Sequence, residues 1–323
     1  MSVLSEMKGV AKALAAACLT ALVVPAAATA AFPGADGLIA LTGPAPAAGG
    51  EALYGYDPVS RERTQLTSPN GLVDTDPAWS PSGTQLAFTR IISGSESKLM
   101  ITNASGAEPR PLFPVETGLI ESEPTFSPDG TQIVFRGRPQ GSSFLSGDDE
   151  LYSVALDGSG LTPLTNTPGL VVQEPAWSPT GDRIAYSRAA AGGNQLGPSD
   201  IYLLYLGTGE STLVTRRRPN ADDDDANWRP DGKRLVYERE RSKGPDDLAT
   251  IRPNGNNSRL MLRAADGTEL RDPGYSPSGE KIAVHRTTPS KAGIAIYDIR
   301  RKRISRSLIP ASQNESDWQP IDD

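Results

Sequence analysis

Five runs along the chain place two or three apolar residues between polar flanks: Thr84–Arg90, Thr131–Arg136, Asp182–Arg188, Lys233–Arg239 and Glu280–Arg286. Such short blocks predict strands buried in a stack. Before every run stands Pro-(Ser/Asp/Thr)-Gly, turn chemistry in which Pro sets φ and Gly ends the turn. Each run is followed by another apolar stretch, such as Lys98–Asn103, Glu150–Ala155, Asp200–Tyr205, Asp247–Arg252 and Gly293–Asp298. These predict a third strand. Shorter segments, Leu161–Thr165 and Ser211–Thr215 among them, predict a fourth.

An aromatic precedes each turn and ends a first strand. Five segments align without gaps: Asp76–Gly83, Glu123–Gly130, Glu174–Gly181, Asp225–Gly232 and Asp272–Gly279. A sixth, Glu315–Pro320, ends near the C-terminus. The pattern is acid-x-x-aromatic-x-Pro. The aromatics are Trp79, Phe126, Trp177, Trp228, Tyr275 and Trp318, a period of 43 to 51 residues. Four antiparallel strands at about that period predict a β-propeller.

The expected fold is all-β: a six-bladed β-propeller with four antiparallel strands per blade. At the N-terminus the pattern begins at Gly37–Thr42, which reads as a second strand, followed by Ala52–Tyr56 and Arg63–Thr67. The lone first strand near the C-terminus supplies what that blade lacks. A composite blade, 31–70 plus 314–323, closes the ring and removes the free edge.

The Trp-Ser-Pro-(Ser/Asp/Thr)-Gly cores, with the Ile-Ala-Phe/Tyr strands after them, resemble the PD40, or WD40-like, repeat of the TolB family. The resemblance spans nearly all of residues 31–323. It implies an envelope binding propeller. The same repeat in prolyl-oligopeptidase-like and tricorn-like peptidases gates a separate catalytic domain.

Composition narrows the chemistry. Of 323 residues, 32 are Gly and 28 Pro, against a helical bundle. The net charge of −7 disfavours nucleic acid as a partner. Cys18 is the sole cysteine and lies in residues 1–30, which read as a signal peptide. Lys8 and Lys12 precede the apolar run Ala13–Val24, and Ala28-Thr29-Ala30 fits a cleavage site. Cleavage after Ala30 would make the protein periplasmic or secreted, with no thiol and no transmembrane segment. His285, the one histidine, cannot build a multi-histidine metal site. No Gly-x-Ser-x-Gly elbow occurs.

The candidate binding residues are the repeated acids Asp76, Glu123, Glu174, Asp225, Asp272 and Glu315. First strands lie innermost in a propeller, so these should ring one mouth of the central channel. Eleven residues after the aromatic stand Arg90, Arg188, Arg239 and Arg286, with Arg136 and Arg138 flanking that position in another repeat. Across the hairpin these should pair with the acids. Two roles compete: ion pairing and backbone capping within the fold, or an acidic ring for a basic peptide end or a cation. No other cofactor is expected. Asp222–Asp225 reads as a solvated loop that adds to the negative field. Arg216–Arg218 and Arg300–Arg303 read as solvated charge or a contact with an anionic envelope surface.

The expected function is a monomeric, non-catalytic binding or scaffold propeller that recognises a protein or peptide partner in the envelope. Loops Ser93–Ser97, Gln140–Asp148 and Ala189–Ser199 would supply specificity. The competing expectation is an envelope or secreted hydrolase or lyase using polar residues at the channel mouth, His285 among them. A third is an accessory to a separately encoded peptidase.

Overall fold

The computed structural model describes residues 33–47, 49–192, 195–216, 222–239, 244–312 and 315–321. The predicted signal segment 1–30 lies outside the described residues, as do Arg217, Arg218, Asn314, Asp322 and Asp323.

The molecule is an all-β propeller. Four sheets repeat one plan, with strands 119–126, 132–139, 150–155 and 162–163 as the pattern for the rest. The other three start at Leu170, Asp223 and Glu269. The remaining sheet has eight strands and contains two antiparallel groups. One group is 73–79, 85–93, 96–103 and 110–111; the other is 316–321, 35–44, 51–56 and 63–65. A single parallel pair, Glu51 with Val73, joins them. The last strand therefore pairs antiparallel with the first, Trp318 opposite Ile39.

The core lies between neighbouring sheets. Trp79, Leu86 and Phe88 pack on Ala40, Leu53 and Leu66 of the preceding group. Ile39, Leu41 and Trp318 pack on Ala283, Ile294 and Ile309 of the last sheet. The chain ends are thus joined by strand pairing and by apolar contact. The second strands bury four or five consecutive residues, so both of their faces are covered, and the polar flanks reach the rims.

The Ser-Pro-x-Gly turns take the expected form. Gly83 has φ 65° and its N–H donates to the Ser80 carbonyl at 2.8 Å. A β-carbon there would stand 2.0 Å from the Pro320 carbonyl oxygen, so the closing strand also requires glycine at this turn.

Candidate functional site

All six repeated acids line one central cavity of about 220 Å³. The aromatics of the motif, Trp79, Phe126, Trp177, Trp228, Tyr275 and Trp318, line it further along the same strands. One cavity thus has an acidic band and an apolar band.

A β-bulge sets five of the six acids, all but Glu315. The register shifts between Thr75 and Ala78, Ser122 and Thr125, Gln173 and Ala176, Asp224 and Asn227, and Arg271 and Gly274. The acid inside each bulge is left-handed: φ is 47° at Asp76, 55° at Glu123, 56° at Glu174, 51° at Asp225 and 49° at Asp272. A non-glycine residue in this region costs about 1–2 kcal/mol. The bulge re-aims the side chain and the backbone N–H of the acid.

The acids are linked head to tail. The Glu123 N–H donates to Asp76 Oδ2 at 3.2 Å, the Glu174 N–H to Glu123 Oε2 at 2.6 Å, and the Asp225 N–H to Glu174 Oε2 at 3.0 Å. At the join between chain ends, the Thr75 hydroxyl donates to Glu315 Oε2 at 3.2 Å. Each of these carboxylates holds the next repeat, which accounts for the acid's recurrence. A second set works one residue before the aromatic. Asp317 accepts the Trp79 N–H at 2.7 Å, Thr125 the Trp177 N–H at 3.5 Å, and Asn227 the Tyr275 N–H at 3.4 Å.

The expected acid–arginine pairs do not form as predicted. Arg90 binds Asp74 through two bonds, at 2.7 and 2.9 Å, and does not pair with Asp76. Arg239 binds Asp223 at 3.0 Å rather than Asp225. The guanidinium of Arg188 lies 3.5 Å from the centre of the Tyr202 ring, and Arg286 donates to the Ser305 carbonyl. The reason is the bulge together with strand alternation. The eleventh residue after the aromatic stands opposite the residue two before the acid, Asp74 for Arg90 and Asp223 for Arg239.

The tenth residue, different in each repeat, meets the ring in four of them as Thr89, Arg136, Ser187 or Glu238, and in the last it is His285, opposite Arg271. Arg136 Nη1 pairs with Glu123 Oε1 at 2.8 Å, and the same guanidinium reaches Asp149 at 2.7 Å. The Ser187 hydroxyl donates to Glu174 Oε2 at 2.7 Å, and Thr89 Oγ1 accepts the Glu123 N–H at 3.2 Å. Glu238, buried, shares a hydrogen bond with Asp225. Sequence reasoning missed Glu238, Asp317 and this position as a whole.

Crowded carboxyls in a half-buried ring resist ionisation. Burial, then the charge of Glu123, pushes Asp76 up to about 6. Burial, then Asp76, pushes Glu315 up to about 8. Burial raises Glu238 to about 8, against the pull of its bond with Asp225 and of Arg271. Asp225 and Asp272 are raised well above the ordinary range, by burial first and then by neighbouring carboxylates. Glu174 is raised by burial and by Glu123. At neutral pH the ring therefore shares protons among its members.

His285 is 6% exposed, stands opposite Arg271, and is outside the channel lining. Burial and the charge of Arg271 lower its pKa. Among the described residues, no three acidic, histidine or cysteine side chains are grouped to hold a metal ion. No helix among them is long and apolar enough to cross a membrane.

Fold and site together define a repeat propeller with an acid-lined channel. Residues 49–197 match PD40, the TolB beta propeller domain. Over those residues the chain carries a TolB-like PD40 repeat, and it resembles TolB in fold. A TolB homolog of Chlorobium luteolum is 30% identical over 141 residues, 43% of this chain and 29% of that protein. The alignment thus spans less than a third of that relative's length. TolB from Acinetobacter baumannii superposes with a TM-score of 0.69 at 20% identity, covering 90% of this chain and 68% of that one. An oligogalacturonate lyase in complex with manganese gives 0.59 at 15% identity, covering 80% and 71%. At these identities the two structures are similar in fold alone.

Proposed function

We propose that the chain is a six-bladed propeller, its eight-stranded sheet counting as two blades, that acts as an exported, monomeric, non-catalytic binding module. The ligand is a basic segment of a protein or peptide in the cell envelope, taken at the acid-lined channel. The observation that carries this is the convergence of six carboxyls on one cavity that also has an aromatic band. Carboxyls favour an ammonium or guanidinium group. The placement of His285 outside the channel supports a module without catalysis. The match to TolB-like repeats supports an envelope location.

The test is titration calorimetry at neutral pH with a short Lys/Arg-rich peptide and an acidic peptide of equal length. The basic peptide should bind, more weakly as salt rises, and the acidic one should not. Asp76→Asn, Glu174→Gln and Asp272→Asn combined should weaken binding at least about tenfold. Equal binding of both peptides, or unchanged affinity in the variant, would overturn the reading.

A further inference from the structure

The two sheets that begin at Asp223 and Glu269 separate charge along their strands. At the channel-acid end lie Asp224, Glu238, Asp246, Asp266 and Glu269, three of them lining a second cavity of about 490 Å³. At the opposite end, around the Pro-x-Gly turns and the turns between third and fourth strands, the charge is positive. Among the described residues, no ion pair engages Lys233, Arg234, Arg252, Arg259, Lys302 or Arg303. Arg229, Arg300 and Arg301 stand among them, paired with Asp231, Glu280 and Asp298. Arg229 packs against the Gly279 turn of the next sheet, which makes the two positive regions continuous.

We propose that this rim is a docking surface for an anionic lipid bilayer. The cations are held close against their mutual repulsion: Arg234 has a lowered pKa from burial and then from Arg259, with Arg252 and Arg229 adding to it. None of them lines the channel cavity, and they spread over the ends of two sheets rather than converging on one point. That distribution suits many headgroups in a plane better than a single anion. Leu260, beside Arg259, is 45% exposed and offers an apolar contact at the headgroup boundary. The acids at the other end stand about five strand residues away, roughly 16 Å. That is about twice the Debye length at physiological salt, so they do not cancel the attraction. A net charge of −7 and a surface for an anionic membrane are therefore compatible. This surface is independent of the channel and of its ligand.

The test is co-sedimentation of the full chain with phosphatidylglycerol/phosphatidylcholine vesicles and with phosphatidylcholine vesicles alone. Wild type should partition onto the anionic vesicles only, and less so at high salt. Lys233→Glu, Arg252→Glu and Arg259→Glu combined, all at exposed positions, should lower partitioning roughly a hundredfold. Arg110→Glu, on another sheet, should leave it within about twofold. Any contribution of residues 13–24 is common to all three proteins, and thermal melting confirms that each is folded. Equal binding to neutral vesicles, or unchanged binding in the triple variant, overturns the proposal. So does capture by soluble polyphosphate with no vesicle binding.

Discussion

The first strand of each repeat has two ends under opposite physical rules. At the aromatic end, Trp79 and Trp318 are almost wholly buried against apolar neighbours from two sheets, and the turn beyond places glycine where φ is positive. Local preference and packing agree there. At the acid end, Asp76 and its counterparts hold a left-handed backbone and carboxyls that resist ionisation beside one another. Local preference is overruled there, and part of what the first end contributes to stability is consumed. Conflict of this kind, repeated at one place in the fold, is a pointer to function.

The largest expected effect is at the aromatic end. Trp79→Ala should destabilise the protein by about 4–5 kcal/mol, measured by urea unfolding, because a fully buried indole leaves a cavity between two sheets. A loss below about 1 kcal/mol would mean that the aromatics do not carry the core and would remove the contrast between the ends.

Next is the buried pair just outside the ring. Arg90→Ala leaves Asp74, fully buried, without its counterion and should cost about 3 kcal/mol. A double-mutant cycle sharpens the comparison. Arg90 should couple strongly to Asp74 and, within about 0.5 kcal/mol, not to Asp76. The opposite result would restore the pairing that the motif alone suggests.

That pairing shows where the sequence stops being readable. Period, turn chemistry and strand order follow from residue types at fixed spacing, so the propeller and the convergence of the six acids were legible. The bulge was not. Its αL position is occupied by Asp or Glu rather than glycine, so nothing in composition marks the extra residue. Counting across the hairpin without it puts the tenth residue opposite the acid and the eleventh, arginine in four repeats, opposite the residue before the acid. With it the tenth stands opposite the residue before the acid and the eleventh opposite the residue two before, and the tenth differs from Thr89 to His285. Regularity drew attention to Arg90 and its equivalents, which pair or stack away from the ring. Variation marks the positions that tune each acid separately. Glu238 was missed although the sequence carries its signal: an acid in the second strand, entering a space that already holds Asp224 and Asp225.

The smallest expected effect has the opposite sign, which makes it the sharpest test of the acid end. An aspartate in the unfolded chain titrates near 3.9. In the ring, Asp76 is raised to about 6 and Glu315 to about 8, with Asp225 and Asp272 raised as well. Between the unfolded and folded values, the folded state holds protons that the unfolded state has released. Stability therefore falls as pH rises from about 4, the unfolded value, to about 8, and is recovered progressively on acidification toward about 4. Asp272→Asn removes one charge while keeping an oxygen acceptor, and asparagine tolerates the left-handed backbone. The variant should be about 1–3 kcal/mol more stable than wild type at pH 8, with a smaller gain at pH 5. Urea midpoints at the two pH values decide it. A wild type that is more stable at pH 8 than at pH 5, with no gain from Asp272→Asn, would mean that the ring is fully ionised and balanced by a cation. The two ends of the strand would then both be stabilising, and the contrast between them would fail.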